Sequence, residues 1–153
     1  MIFFSENKYR AGRSHAEYAQ YWRENLTRLP KIALRLSDGM LPDEFFEKID
    51  DPVELHDARI QTFNANETEI EIQLHGDDSG SLRVIEIRYD CTGLPTPDIP
   101  TSLLKNKPDC DLTCHEFIHR DNYFEHHMLF ANGTEILIQF NSLVANFTPD
   151  GAT

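Results

Sequence analysis

Residues 115–119 read His-Glu-Phe-Ile-His. This is the H-E-x-x-H pattern, in which two histidines hold zinc and the glutamate between them polarises a zinc-bound water. That chemistry needs His115 and His119 at i and i+4 on one helix face, about 6 Å apart. Cys114, Phe117 and Ile118 have the spacing of an apolar helix face. Glu125 or Glu135 is the available third ligand. Glu125 lies six residues past His119, where one zincin class places its ligand, but Asn122 stands where that class has glycine. In a strand the same four-residue step spans about 13 Å, too far for a shared ion. The turn signal Arg120-Asp121-Asn122 follows at once, and an alternating run begins directly after it. The spacing therefore predicts a strand over 114–119 and no metal cofactor. A zinc-dependent hydrolase, with His115 and His119 as ligands and Glu116 as base, is the alternative.

Other chemistry-bearing groups are sparser. Cys110, Cys114, His115 and His119 form C-x3-C-H-x3-H, but a zinc finger separates its two pairs by about a dozen residues. His56, Asp57 and Arg59 in "HDAR" could serve acid–base chemistry. The plainer reading is a strand, with His56, Ala58 and Ile60 on one face and Asp57 paired with Arg59 on the other. His126 and His127 are adjacent in an alternating run, so they must point to opposite faces. There is no glycine-rich phosphate loop and no nucleophile elbow.

The elements that would position these residues change character along the chain. Ser14 and Glu17 have the spacing of a capping box, and Tyr18, Tyr21, Trp22, Leu26 and Leu29 fall on one helix face before Pro30. Short helices are expected through "KIALRL" and "LPDEFFEKI". After Pro52 the period becomes 2. "VELHDARIQTF", "ETEIEIQLHG" and "SLRVIEIRYD" read as strands, the last with an irregularity because its apolar residues claim both faces. "GDDSG" (76–80) is a turn. Residues 92–111, rich in proline, form a long loop. "NYFEHHMLFANGTEILIQF" is a hairpin around Asn132-Gly133. A three-residue turn sets Phe124, His126, Met128 and Phe130 beside Ile136, Ile138 and Phe140, which gives one consistent apolar face.

Length and charge bound the function. The chain has 153 residues, 26 acidic and 14 basic, and a net charge of −12. That charge disfavours nucleic acid and anionic membranes and favours a basic partner. The start "MIFFSENKYR" lacks a basic n-region and is not expected to be a signal peptide. No apolar run approaches the ~20 residues of a membrane span. Three cysteines without C-x-x-C pairing fit a reducing compartment, so the expected location is the cytoplasm.

"VELHDARI" with the alternating strand after it, and "EFIHRDNYFEHHMLFANGTEILIQF" near the end, carry a resemblance. They resemble a family of uncharacterised bacterial proteins with an L-H-D-A/S strand, an E-x-h segment (h apolar), a strand F-x-H-x-h-x-F, a turn with glycine, and E-h-x-I-x-F. "FFSENKYR" with its following helix is similar too. The resemblance covers residues 53–148 and extends to 1–50. It implies that Glu116 and Ile118 sit in a strand, and the two histidines of H-E-x-x-H are not part of its pattern. It brings no activity. Small acidic domains of this style resemble immunity proteins, which bind and block a toxin.

The expectation is a single α+β domain over 1–153. Helices in 1–50 pack on an antiparallel sheet of about six strands in 53–148, as a sandwich or open barrel. The expected function is non-enzymatic protein binding through an acidic face formed by Glu69, Glu71, Asp77 and Asp78.

Overall fold

The computed structural model describes residues 1–4, 14–78 and 81–149; of Asp77, Asp78, Ser81, Leu82 and Pro149 it describes the backbone. Helix α1 spans Ser14–Asn25 and α2 spans Lys31–Arg35, followed by a 3-10 turn at Asp43–Phe46. Seven strands follow among the described residues: β1 Arg59–Ala65, β2 Glu69–Asp78, β3 Ser81–Asp90, β4 Leu112–His119, β5 Phe124–Phe130, β6 Glu135–Phe140 and β7 Ser142–Pro149. The α+β class holds. The single six-stranded sheet does not, because the strands divide into an antiparallel sheet ordered β1-β2-β3-β7 and a second ordered β4-β5-β6. No helix among the described residues is long and apolar enough to cross a membrane.

Alternation builds the first sheet. Ile70, Ile72 and Leu74 of β2 and Ile85, Ile87 and Tyr89 of β3 are buried, while Glu69, Arg88 and Asp90 are exposed. β3 pairs with β2 without interruption from Asp78↔Ser81 to Glu69↔Asp90, so the expected irregularity in β3 is absent. The irregularities lie in β1, between Ile60 and Thr62, and in β4, between Leu112 and Cys114. The expected "GDDSG" turn is also shorter. Gly76, Asp77 and Asp78 belong to β2, and residues 79–80 lie outside the described residues.

The sheets face one another. Tyr89 of β3 lies 5.4 Å, ring to ring, from Phe140 of β6, and its hydroxyl meets His126 of β5. Asn141 alone separates β6 from β7, so the chain steps from one sheet to the other there. On the opposite side, the Asp57 N–H donates to the Leu112 carbonyl and the Leu112 N–H to the Ala58 carbonyl, at 2.9 and 2.8 Å. Those bonds tie the approach to β1 to the start of β4.

Helix α1 seals the free edge of β4. The Phe117 N–H donates to the Tyr18 hydroxyl and the His119 N–H to the Tyr21 hydroxyl, each at 2.7 Å. Two hydroxyls three residues apart on one helix face thus satisfy the alternate outward N–H groups of an edge strand, which would otherwise invite another chain. Trp22 and Leu29 join the core as the helical stripe requires. Leu26 does not: it is 51% exposed. The expected capping box is not formed either. Ser14 is helical, and its enclosed hydroxyl makes no hydrogen bond among the described residues.

The hairpin register is the one alternation predicts. Phe124 pairs with Phe140, His126 with Ile138 and Met128 with Ile136. Gly133 has φ +86°, and the Phe130 N–H closes a three-residue loop on the Thr134 carbonyl at 2.9 Å. A Cβ at Gly133 would meet nothing within 4 Å, so substitution there strains the backbone alone. Gly133→Val is expected to cost about 1–2 kcal/mol. Asn132→Ala removes only a 3.0 Å side-chain bond to the Thr134 N–H in an exposed turn, and its cost is expected below about 1 kcal/mol. Urea midpoints of the two variants check this; equal shifts would contradict the left-handed glycine.

Candidate functional site

Residues 115–119 lie within β4, as the spacing predicts, and the strand separates the parts of the H-E-x-x-H pattern. His115 and Phe117 point between the sheets, whereas Glu116 points to the other side. There the buried Glu116 carboxylate accepts the backbone N–H groups of Ile2, Phe3 (2.8 Å) and Phe4 (3.2 Å). Its role is to hold the segment 2–4 against the sheet. His119 meets the Phe124 ring edge-to-face, 5.5 Å between centroids. Glu125 bonds Arg120 at 2.7 Å, His127 at 3.2 Å and Gln139 at 3.4 Å, and Glu135 is exposed at the start of β6. The residues of the alternative zinc site therefore do not converge. The physical reason is the period of β4, which turns the histidines and the glutamate to opposite faces. Among the described residues no group of three or more His, Cys, Asp or Glu is arranged to hold a metal ion.

The "HDAR" strand reading is corrected as well. β1 begins only at Arg59, and Asp57 has φ +66° in a turn that returns the Ala58 N–H to the Leu55 carbonyl. Asp57 tolerates this conformation better than most residues because its short side chain bonds locally. His56 Nδ1 lies 3.0 Å from the Thr113 carbonyl, and its Nε2 lies 3.4 Å from Asp57. Arg59 pairs with Asp111 rather than with Asp57.

A different constellation occupies the centre of the molecule. The Tyr89 hydroxyl is 2.7 Å from His126 Nδ1, and His126 Nε2 is 2.9 Å from His115 Nδ1. All three side chains are at most 1% exposed. The far nitrogen, His115 Nε2, is enclosed and has no hydrogen-bond partner among the described residues. The three side chains thus form one continuous chain of hydrogen bonds, Tyr89–His126–His115. Phe117 stacks on His126 at 4.0 Å. Burial holds His115 down at about 3, and burial, with His115 and His127 nearby, holds His126 well below the usual histidine range. Burial pushes the Tyr89 phenol above its usual value. The chain is neutral throughout and joins the two sheets by directional bonds.

Sequence reasoning missed this chain but held a signal for it. His126 sits in the apolar register between Phe124 and Met128, and a histidine there must be neutral and bonded. Cys91 and Cys114 are poor nucleophiles: burial pushes the Cys91 thiol up to about 11 and the Cys114 thiol up to about 12.

The acidic residues singled out from sequence lie on the outer face of the first sheet. Glu69 pairs in register with Asp90, and Glu71 lies opposite Arg88, 3.3 Å away. Glu86 is the next outward residue of β3, opposite Gln73. Glu67 is exposed in the turn between β1 and β2. Glu67, Glu69 and Glu86 have no ion pair among the described residues. Asp77 and Asp78 continue β2 in backbone register with Leu82 and Ser81; their side chains lie outside the described residues. No family model, curated protein or solved structure matches the chain.

Proposed function

We propose that the chain is a non-enzymatic binding module that presents the outer face of β1-β2-β3-β7 to a basic protein, in the manner of an immunity protein. One observation carries this reading. Glu67, Glu69, Glu71, Glu86 and Asp90 gather on the outer face of β2 and β3 and the adjoining turn, with Arg88 beside them, while Arg83, the other arginine of β3, is paired with Asp51. Such a face repels acidic proteins and steers basic ones, mainly through the association rate at low ionic strength. Val144 of β7, paired with Arg88 and 59% exposed, supplies an apolar contact beside the charges.

The test is capture from a native lysate at low and at high salt, repeated with Glu69, Glu71, Asp77 and Asp78 all changed to Lys. The expected result is a basic protein retained at low salt, with an association rate at least ten-fold lower for the variant. A partner indifferent to both salt and charge reversal would overturn the reading, as would the recovery of none.

A further inference from the structure

The helical third of the molecule carries a feature independent of the acidic face. Between α1, α2 and the segment after the 3-10 turn lies a groove of about 670 Å³. That volume lies within the range of about 300–1,000 Å³ typical of small-ligand sites. Its floor is apolar: Trp22, Leu26 and Leu29 from α1 and its C-terminal extension, Leu34 from α2, and Ile49 from the opposite wall. Leu26, half exposed here, departs from an otherwise buried stripe. In a chain with 26 acidic and 14 basic residues, every charged residue lining this groove among the described residues is basic: Lys31, Arg35 and Lys48. Arg35 is committed, bonding the Asp51 carboxylate at 3.1 Å and lying over the Phe147 ring at 4.0 Å. Lys31 and Lys48, from two different elements, have no ion pair among the described residues.

We propose that this groove binds a small amphiphile, one apolar chain with a single anionic head such as an alkyl carboxylate. The apolar floor would take the chain, and Lys31 with Lys48 would take the head. Charge complementarity selects the occupant. An apolar floor alone would accept any hydrophobe, but two unmatched ammonium groups in a strongly acidic protein make an anionic head the favoured one.

Trp22 is the only tryptophan in the chain and lines the groove, so its emission reports occupancy. The full chain is titrated with monomeric dodecanoate, dodecanol and dodecyltrimethylammonium. The expected result is a saturable one-site change with dodecanoate, at least ten-fold weaker with the alcohol and absent with the cation. Lys31→Glu with Lys48→Glu, both exposed positions, should weaken dodecanoate at least ten-fold and leave the circular dichroism spectrum and urea midpoint intact. Leu34→Asp should abolish the signal. Equal affinity for the anionic and cationic amphiphiles would overturn the proposal. So would an unchanged affinity in the double lysine variant, or binding only to anionic vesicles and not to the monomer.

Discussion

Between pH 6.5 and pH 4 the protein is expected to lose stability steeply, by up to about 2.7 kcal/mol per pH unit from two histidines together. In the unfolded chain His115 and His126 take up protons near 6.5, whereas folded His115 stays neutral down to about 3 and folded His126 is depressed in the same direction. Both folded values lie below the unfolded one. The stabilisation is therefore complete above about pH 6.5 and is lost as pH falls towards about 3. Each histidine that lags fully costs about 1.4 kcal/mol per pH unit. By pH 4 the pair removes up to about 7 kcal/mol, which reaches the lower half of the usual total of about 5–15 kcal/mol. Glu125 adds to the same trend: its burial raises the carboxyl, but Arg120 and His127 outweigh that and hold it low.

A comparison of variants isolates the histidines. Replacing the whole chain of bonds at once, with Tyr89→Phe, His115→Leu and His126→Phe, leaves no partner orphaned and should be nearly neutral at pH 7. Its stability should fall much less between pH 6.5 and pH 4.5. His126→Phe alone leaves the Tyr89 hydroxyl and His115 Nδ1 enclosed without partners, at about 2–5 kcal/mol. Urea titrations at pH 7, 6, 5 and 4.5 measure all of this. Identical pH slopes for wild type and triple variant would contradict the neutral histidine pair.

Local signals and long-range contacts divide the fold between what could be read from sequence and what could not. The β5–β6 register was legible because Asn132-Gly133 marks the turn and because only one loop length aligns two apolar faces. β4 was legible from its neighbours: a turn signal on one side, an alternating run on the other. The start of β1 was not. His56 and Asp57 are held out of the strand by bonds to Thr113 and Leu112 of β4, more than fifty residues away, and no local pattern encodes them. β7 was overlooked because one residue, Asn141, separates it from β6, too short for a turn signal. Only its pairing with β3 reveals the second sheet. The irregularity assigned to β3 arose from Val84, which is half buried on the outer face opposite Thr148 of β7. At the molecule's centre, His126 could be assigned to the core face, but its partner Tyr89 lies on the other sheet. Pairing them requires knowing how the sheets stack.

Glu116→Gln is expected to lower stability by about 3 kcal/mol, although the change replaces one oxygen by an NH2 group. The Glu116 side chain is fully enclosed, and both of its oxygens accept backbone N–H groups from residues 2–4. A carboxylate has acceptors enough for three N–H groups. An amide has one accepting oxygen and presents donors on the other side, so at least one N–H loses its bond and meets another donor. Hydrogen bonds to a charged group are worth about 1.5–3 kcal/mol each, and a buried donor left without a partner adds a desolvation cost. For a chain of this length 3 kcal/mol corresponds to a melting temperature lower by about 6–12 °C. Glu116→Ala should cost as much or more, since it also removes buried volume. Local exchange separates this role from a catalytic one. Amide protons of Phe3 and Phe4 should exchange much faster in Glu116→Gln, while those of the β5–β6 hairpin keep their protection relative to the global stability. A base in a zinc hydrolase would behave oppositely, because its replacement by Gln removes activity and leaves the fold intact. Wild-type melting and wild-type amide protection in Glu116→Gln would show that the carboxylate does not hold the N-terminal segment.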